Sequence, residues 1–129
     1  MYIFRLHRGD DLKQSILEFC KMNNITSGII TCAVGCCSKV RFRLAGADDF
    51  YEDERDYEIV SIMGTISKDG VHIHISFGDD TGKVVGGHLS DGCIINTTCE
   101  VSIIKSDKYR LSREYDEETC YKELVIEMN

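Results

Sequence analysis

The sequence holds no proline, no low-complexity stretch and no internal repeat. Those absences exclude a proline-rich linker, a low-complexity tail and a solenoid array. No apolar run approaches the ~20 residues that a membrane-spanning helix needs. The opening Met1-Tyr2-Ile3-Phe4-Arg5 begins no apolar stretch of secretory length, so the expected location is the cytoplasm. Basic residues are in deficit: 15 Lys and Arg stand against 22 Asp and Glu, a formal net charge of −7. The deficit disfavours duplex nucleic acid, whose affinity comes largely from Lys and Arg on phosphates, and equally an anionic membrane surface. A disulfide framework is missing too. The seven cysteines (Cys20, Cys32, Cys36, Cys37, Cys93, Cys99 and Cys120) are odd in number, Cys36 and Cys37 are adjacent, and no Cys-x-x-Cys pair recurs at zinc-ribbon spacing. They read as free thiols in a reducing compartment, mostly acting as small buried hydrophobes. There is no Gly-x-Gly-x-x-Gly after a strand, no P-loop and no Gly-x-Ser-x-Gly.

What is present is enough for one self-sufficient domain over residues 1–129. The chain is 43% hydrophobic and 29% charged, the balance of a globular protein. At this length folding buries roughly two-thirds of the unfolded surface. Tyr2 to His7 alternates as a first strand. Asp10 and Asp11 then cap a helix, with Gln14 three residues after Asp11. Leu12, Ile16, Phe19 and Cys20 form one apolar stripe, and Asn23-Asn24 ends the helix. Everything downstream reads mostly as strand. Gly28 to Val34 is nearly all apolar, hence buried on both faces. Val40 to Ala45 is a second strand with Arg41 and Arg43 on one face. Asp48 to Asp56 is an acidic connection, read as a solvated loop. Glu58 to Ile66 and Val71 to Phe77 form a hairpin about the turn Ser67-Lys68-Asp69-Gly70. Gly78 to Gly82 is another turn and Lys83 to Val85 a short strand. Cys93 to Lys105 is a long strand, with Ile95, Thr97, Cys99, Val101 and Ile103 on one face. Ser106 to Thr119 reads as polar loop, and Tyr121 to Met128 as the last strand. The expected fold is α+β: a largely antiparallel sheet with one main helix packed on it.

The chemical lead is histidine. His72 and His74 stand at i and i+2 in a strand, so both project from one face, roughly 6.6 Å apart along it. Val71, Ile73, Ile75 and Phe77 take the opposite, core-facing side. His88 follows Gly86-Gly87, and glycines permit close backbone approach. Three neutral imidazoles with a fourth position open is the arrangement of catalytic-type zinc sites. Glu100, on the polar face of the long strand, is a candidate fourth ligand, supporting partner or base. The bland alternative is three histidines merely hydrogen-bonded in a polar crevice. The remaining histidine, His7, reads as a surface residue at a strand end.

The residues also resemble a family. Arg5-Leu6-His7-Arg8-Gly9-Asp10-Asp11-Leu12, Ile25-Thr26-Ser27-Gly28, Tyr57 to Thr65, Val71-His72-Ile73-His74-Ile75-Ser76, Gly86-Gly87-His88-Leu89 and Asn96 to Val101 occur in the order of the plants-and-prokaryotes-conserved (PPC) domain. The resemblance runs from Ile3 to Ile126. It implies an α+β fold that assembles as a homotrimer, and a stand-alone prokaryotic member. It places the family's histidines on His72, His74 and His88, and so implies a divalent transition metal, zinc first among them. Asp10 stands where the family usually has glutamate, and Cys120 where a glycine is common before the tyrosine. No AT-hook is present, so the DNA-binding segment of the plant proteins does not carry over. Two functions compete. One is a trimeric metal-binding protein serving a small-molecule ligand or an unnamed reaction. The other is a regulatory module that contacts protein partners, as plant relatives of DNA-binding type do. Direct nucleic-acid binding ranks below both because of the charge.

That ranking is measurable. Fluorescence anisotropy with plain duplex DNA at physiological salt should give no affinity tighter than about micromolar. A sub-micromolar Kd would overturn the charge argument.

Overall fold

The computed structural model describes residues 1–129. It contains β1 (Tyr2–His7), α1 (Leu12–Met22), β2 (Ser27–Arg43), β3 (Phe50–Asp53), β4 (Tyr57–Ser67), β5 (Gly70–Gly78), β6 (Val84–Leu89), β7 (Ile94–Lys105), β8 (Tyr109–Asp116) and β9 (Tyr121–Met128). The main sheet is antiparallel throughout, in the order β1-β7-β2-β4-β5-β6. No helix is long and apolar enough to cross a membrane.

The helix forms where its capping signal and apolar stripe place it. Asp11 accepts a hydrogen bond from the amide of Gln14 at 3.0 Å, satisfying one first-turn donor. The Gln14 side chain does not reciprocate; it donates to Asp91 at 2.7 Å, tying the helix start to the loop before β7. Leu12, Ile16 and Cys20 are buried, and Phe19 stacks on Phe4 of β1 with ring centroids 3.7 Å apart. Helix and sheet share one cluster of 23 buried apolar residues.

β2 organises the sheet. The two expected strands, Gly28 to Val34 and Val40 to Ala45, are one 17-residue strand. Its register slips between Ile30 and Cys32, Gly35 and Cys36, and Cys37 and Lys39, and these irregularities bend it without ending it. The acidic connection is also more ordered than its charge implied. Phe50–Asp53 pairs with Val40–Arg43, because Lys39 and Arg41 on β2 face Glu52, the former at 3.0 Å, and the Arg41 guanidinium lies 3.9 Å over the Phe50 ring. The polar segment after Lys105 holds a further strand. Tyr109–Asp116 pairs with β9 over its whole length as a separate two-stranded sheet. Its polar residues alternate with Leu111 and hid the strand period from the reading of a loop. The turn of this hairpin explains the departure at Cys120, which takes φ +62, the left-handed region where glycine is at ease. Thr97 is exposed, off the buried face of β7, because φ +57 there marks the bulge opposite Gly35–Cys36.

The decisive connection is the closure of β6. It pairs with β5 over Gly78–His74 and, at its end, with β2 through Phe42↔Leu89 and Arg43↔His88. The path β2-β4-β5-β6 thus returns to β2. The approach is close at Gly87: a Cβ there would fall onto the carbonyl oxygen of Arg43 and stand 3.0 Å from the Phe42 ring. Gly87→Ala should therefore push β6 off β2 and cost about 1–3 kcal/mol, read by urea unfolding. A variant within about 0.5 kcal/mol of the parent would show that the closure tolerates a methyl group.

Candidate metal centre

Strand alternation puts His72 and His74 on the outer face of β5, with Ile73, Ile75 and Phe77 buried behind them. Antiparallel register then sets His88 of β6 directly opposite His74. The three imidazoles converge. One nitrogen from each lies within 4.8 Å of the other two, and the ring centroids are 5.0, 5.0 and 5.6 Å apart. The Nε2 atoms of His72 and His74 are 3.3 Å apart. Two nitrogens bound tetrahedrally at 2.0–2.1 Å from one ion stand about 3.3–3.4 Å apart, so the spacing suits a shared ion. A direct imidazole hydrogen bond also accounts for that distance. It does not account for His88, whose Nδ1 is buried with no hydrogen-bond partner. A donor atom withdrawn from water and left without a partner costs about 1–3 kcal/mol, and coordination would remove the deficit.

Glu100 is not part of this cluster within one chain. It pairs with Arg5 of β1 and Val34 of β2, and the strands β2 and β4 stand between β7 and the histidines. The carboxylate beside the cluster belongs instead to Glu123 of β9, which lines a cavity with His72, His88, Arg43 and Arg113. Arg43 arrives through its pairing with His88. Its place on the outward face of β2 was readable; that β6 would close onto it was not. Arg113 and Glu123 come from the β8–β9 hairpin, which is anchored to the β4–β5 turn. There the Arg113 amide donates to Asp69 at 2.8 Å and the amide of Lys68 to the Leu111 carbonyl at 3.1 Å.

The surroundings favour the neutral form of His72 and His88. Burial, followed by Arg43 and the other two histidines, holds His88 down to about 4. Burial, then Arg113 and His74, lowers His72, while Glu123 pulls the other way. Neutral imidazole is the coordinating form. The buried cysteines offer no competing chemistry. Burial pushes Cys20 and Cys93 up to about 11 and Cys99 to about 12, so these thiols stay protonated.

The model of the Plants and Prokaryotes Conserved (PCC) domain matches residues 1–107. The chain belongs to this family. A bifunctional protein GlmU from Synechococcus sp. (strain JA-3-3Ab) is 39% identical over 127 residues, 98% of this chain. The chain spans only 20% of that relative's length. A protein from Salmonella enterica described as hypothetical superposes with TM-score 0.95 at 28% identity, covering 98% of this chain and 92% of that one. A metal-containing protein from Archaeoglobus fulgidus superposes with TM-score 0.77 at 28% identity, covering 96% and 91%. The PCC match ends before β8, so Arg113 and Glu123 stand outside the part of the chain that the family model describes.

The histidine environment sets a pH dependence for the metal-free PCC domain. His88 stays neutral in the folded chain down to about pH 4, whereas an unfolded histidine titrates near ~6.5. Between those values the unfolded state binds more protons. The contribution of His88 is therefore fully present above about pH 6.5 and is lost as pH falls toward 4. Thermal unfolding in chelator across this interval should fall less steeply for His88→Gln than for the parent. Identical profiles would show that His88 is protonated as readily folded as unfolded.

Proposed function

We propose that this PCC domain is a homotrimeric metal-binding protein in which His72, His74 and His88 hold one divalent transition metal, zinc being the leading candidate. The observation that carries the reading is the convergence of three imidazoles, one of which, His88, has a buried Nδ1 without a hydrogen-bond partner. The similar protein from Archaeoglobus fulgidus is itself described as metal-containing. Imidazole suits zinc, copper, iron and nickel alike, and zinc is favoured by the four-coordinate geometry that three histidines leave incomplete. The open position makes a small-molecule ligand the natural partner and leaves room for a reaction. The alternative regulatory role through protein contacts has no comparable site.

The trimer is supported by an uncovered face. Ile29, Val34, Val60, Met63 and Ile104 are exposed on β2, β4 and β7. Ile29, Ile104 and Met63 lie on the side of the sheet that carries His72 and His74, away from the core. A patch of this kind, rimmed by polar groups, marks an interface. Its position beside the histidines supports a metal centre near a subunit boundary.

Elemental analysis of untagged protein purified without chelator and then supplied with zinc should give one metal per chain. His72→Ala, His74→Ala and His88→Ala should each lose most of it, and His7→Ala should lose none. Retention should weaken below about pH 6 as the imidazoles protonate. Well under one metal per three chains in the parent would remove the proposal. Light scattering at micromolar concentration should report three chains; a monomer would remove the trimer.

A further inference from the structure

The cavity beside the histidines is lined by three basic side chains and one carboxylate. It has a volume of about 360 Å³. Arg43, Arg113 and Lys122 line it, and none of them takes part in any of the six ion pairs of the chain. What sets two of these groups apart is burial without a partner. The Nε atoms of Arg43 and of Arg113 are both buried and without hydrogen-bond partners. Arg113 is held in place by its other nitrogens: Nη2 donates to the Thr65 hydroxyl at 3.1 Å and Nη1 to the Lys122 carbonyl at 3.4 Å. The one carboxylate in the lining, Glu123, accepts from the Thr119 hydroxyl at 2.9 Å and forms no ion pair with either arginine.

We infer that this cavity binds a small molecule bearing an oxyanion, a carboxylate or a phosphate, between Arg43 and Arg113 and next to the His72–His88 edge of the metal centre. A guanidinium is built for the two oxygens of such a group, and its charge-assisted hydrogen bonds are roughly twice as strong as neutral ones. The inference rests on the metal reading for the ion that adjoins the anion. A dication would add to the local positive excess, with Glu123 alone to offset it, so an anionic ligand is what the filled site lacks. The size agrees with a small metabolite: about 360 Å³ lies at the lower end of the roughly 300–1,000 Å³ of ligand pockets. The hairpin that supplies Arg113, Lys122 and Glu123 follows residue 107, so this wall lies beyond the residues matched by the family model.

Calorimetric titration tests this with two probes, inorganic phosphate and succinate, each against zinc-loaded and metal-free protein. At least one probe should bind the loaded chain with a Kd below about 1 mM, and which one does identifies the oxyanion. Arg113→Gln and Arg43→Gln should each weaken binding about tenfold, while elemental analysis shows the metal retained. Lys39→Gln, away from the cavity, should change nothing. Binding to metal-free protein that is lost in Arg113→Gln would uphold the anion site even if the metal reading fails. Absence of binding by either probe up to about 10 mM in both forms would overturn the inference. So would arginine replacements that dissociate the oligomer but leave anion affinity unchanged, since the cations would then be subunit contacts.

Discussion

The closure of β6 onto the end of β2 is the constraint on which the rest depends. Two glycines make it possible. A Cβ at Gly86 would strike the carbonyl of Ile75, and one at Gly87 the carbonyl of Arg43. With both absent, β6 lies close against β5 on one side and β2 on the other. Three consequences follow from that single approach. His88 is carried opposite His74, Leu89 is delivered to the core at 1% exposure, and Arg43 is set against His88. The chemistry of the site is therefore a by-product of how the sheet closes, and the polar group left unpartnered on His88 is held there by the packing of Leu89 next to it.

How much of this was legible differs residue by residue. His72 and His74 were readable because a strand has a period of two and Ile73 and Ile75 declare which side is core. The helix was readable because Asp11, Leu12, Ile16 and Cys20 agree on its start and its face. Gly86-Gly87 announced a close approach and so brought His88 into the set, and the family's order of motifs then fell on the same three histidines. Glu100 was chosen because it lies on a polar face. Facing is a local property, while adjacency is set by strand order, and strand order placed Glu123 there instead. The acidic segment around Phe50 was read as a loop since its charge has no visible partner in sequence; Lys39 and Arg41 supply that partner only across the β2–β3 register. Tyr121 to Met128 was readable as the last strand, but its partner β8 escaped for a related reason: Leu111 is its only aliphatic residue, leaving no clean apolar alternation to detect.

The site thus has two walls of different origin. The histidines sit on strands of the main sheet, whose inner faces form the core, so their positions are tied to the stability of the fold. Arg113 and Glu123 sit on a two-stranded sheet that is hydrogen-bonded to β4 and the β4–β5 turn through Thr65, Lys68 and Asp69. A hairpin of this size has little stability alone, and its ordering depends on those anchors. Substitutions in it can change what the cavity accepts without disturbing the core, whereas changes at the core-facing residues of the histidine strands cannot be separated from folding.

Arg43 acts in two opposing ways, and the balance between them explains why a cation stands so near a prospective metal. Its charge, with burial, keeps His88 neutral far below the usual histidine range. That prepares the nitrogen for coordination at any physiological pH, since no proton has to be displaced first. The same charge opposes a dication at that nitrogen by simple Coulomb repulsion, which at partly buried separations is several kcal/mol before screening. A carboxylate in place of Arg43 would reverse both effects, attracting the ion but also stabilising the imidazolium that competes with it. The arrangement seen here favours a neutral ligand set and leaves the positive excess to be offset by whatever enters the cavity. Metal and anion would then each raise the affinity of the site for the other, because each removes the repulsion or the unpaired charge that the other would meet alone.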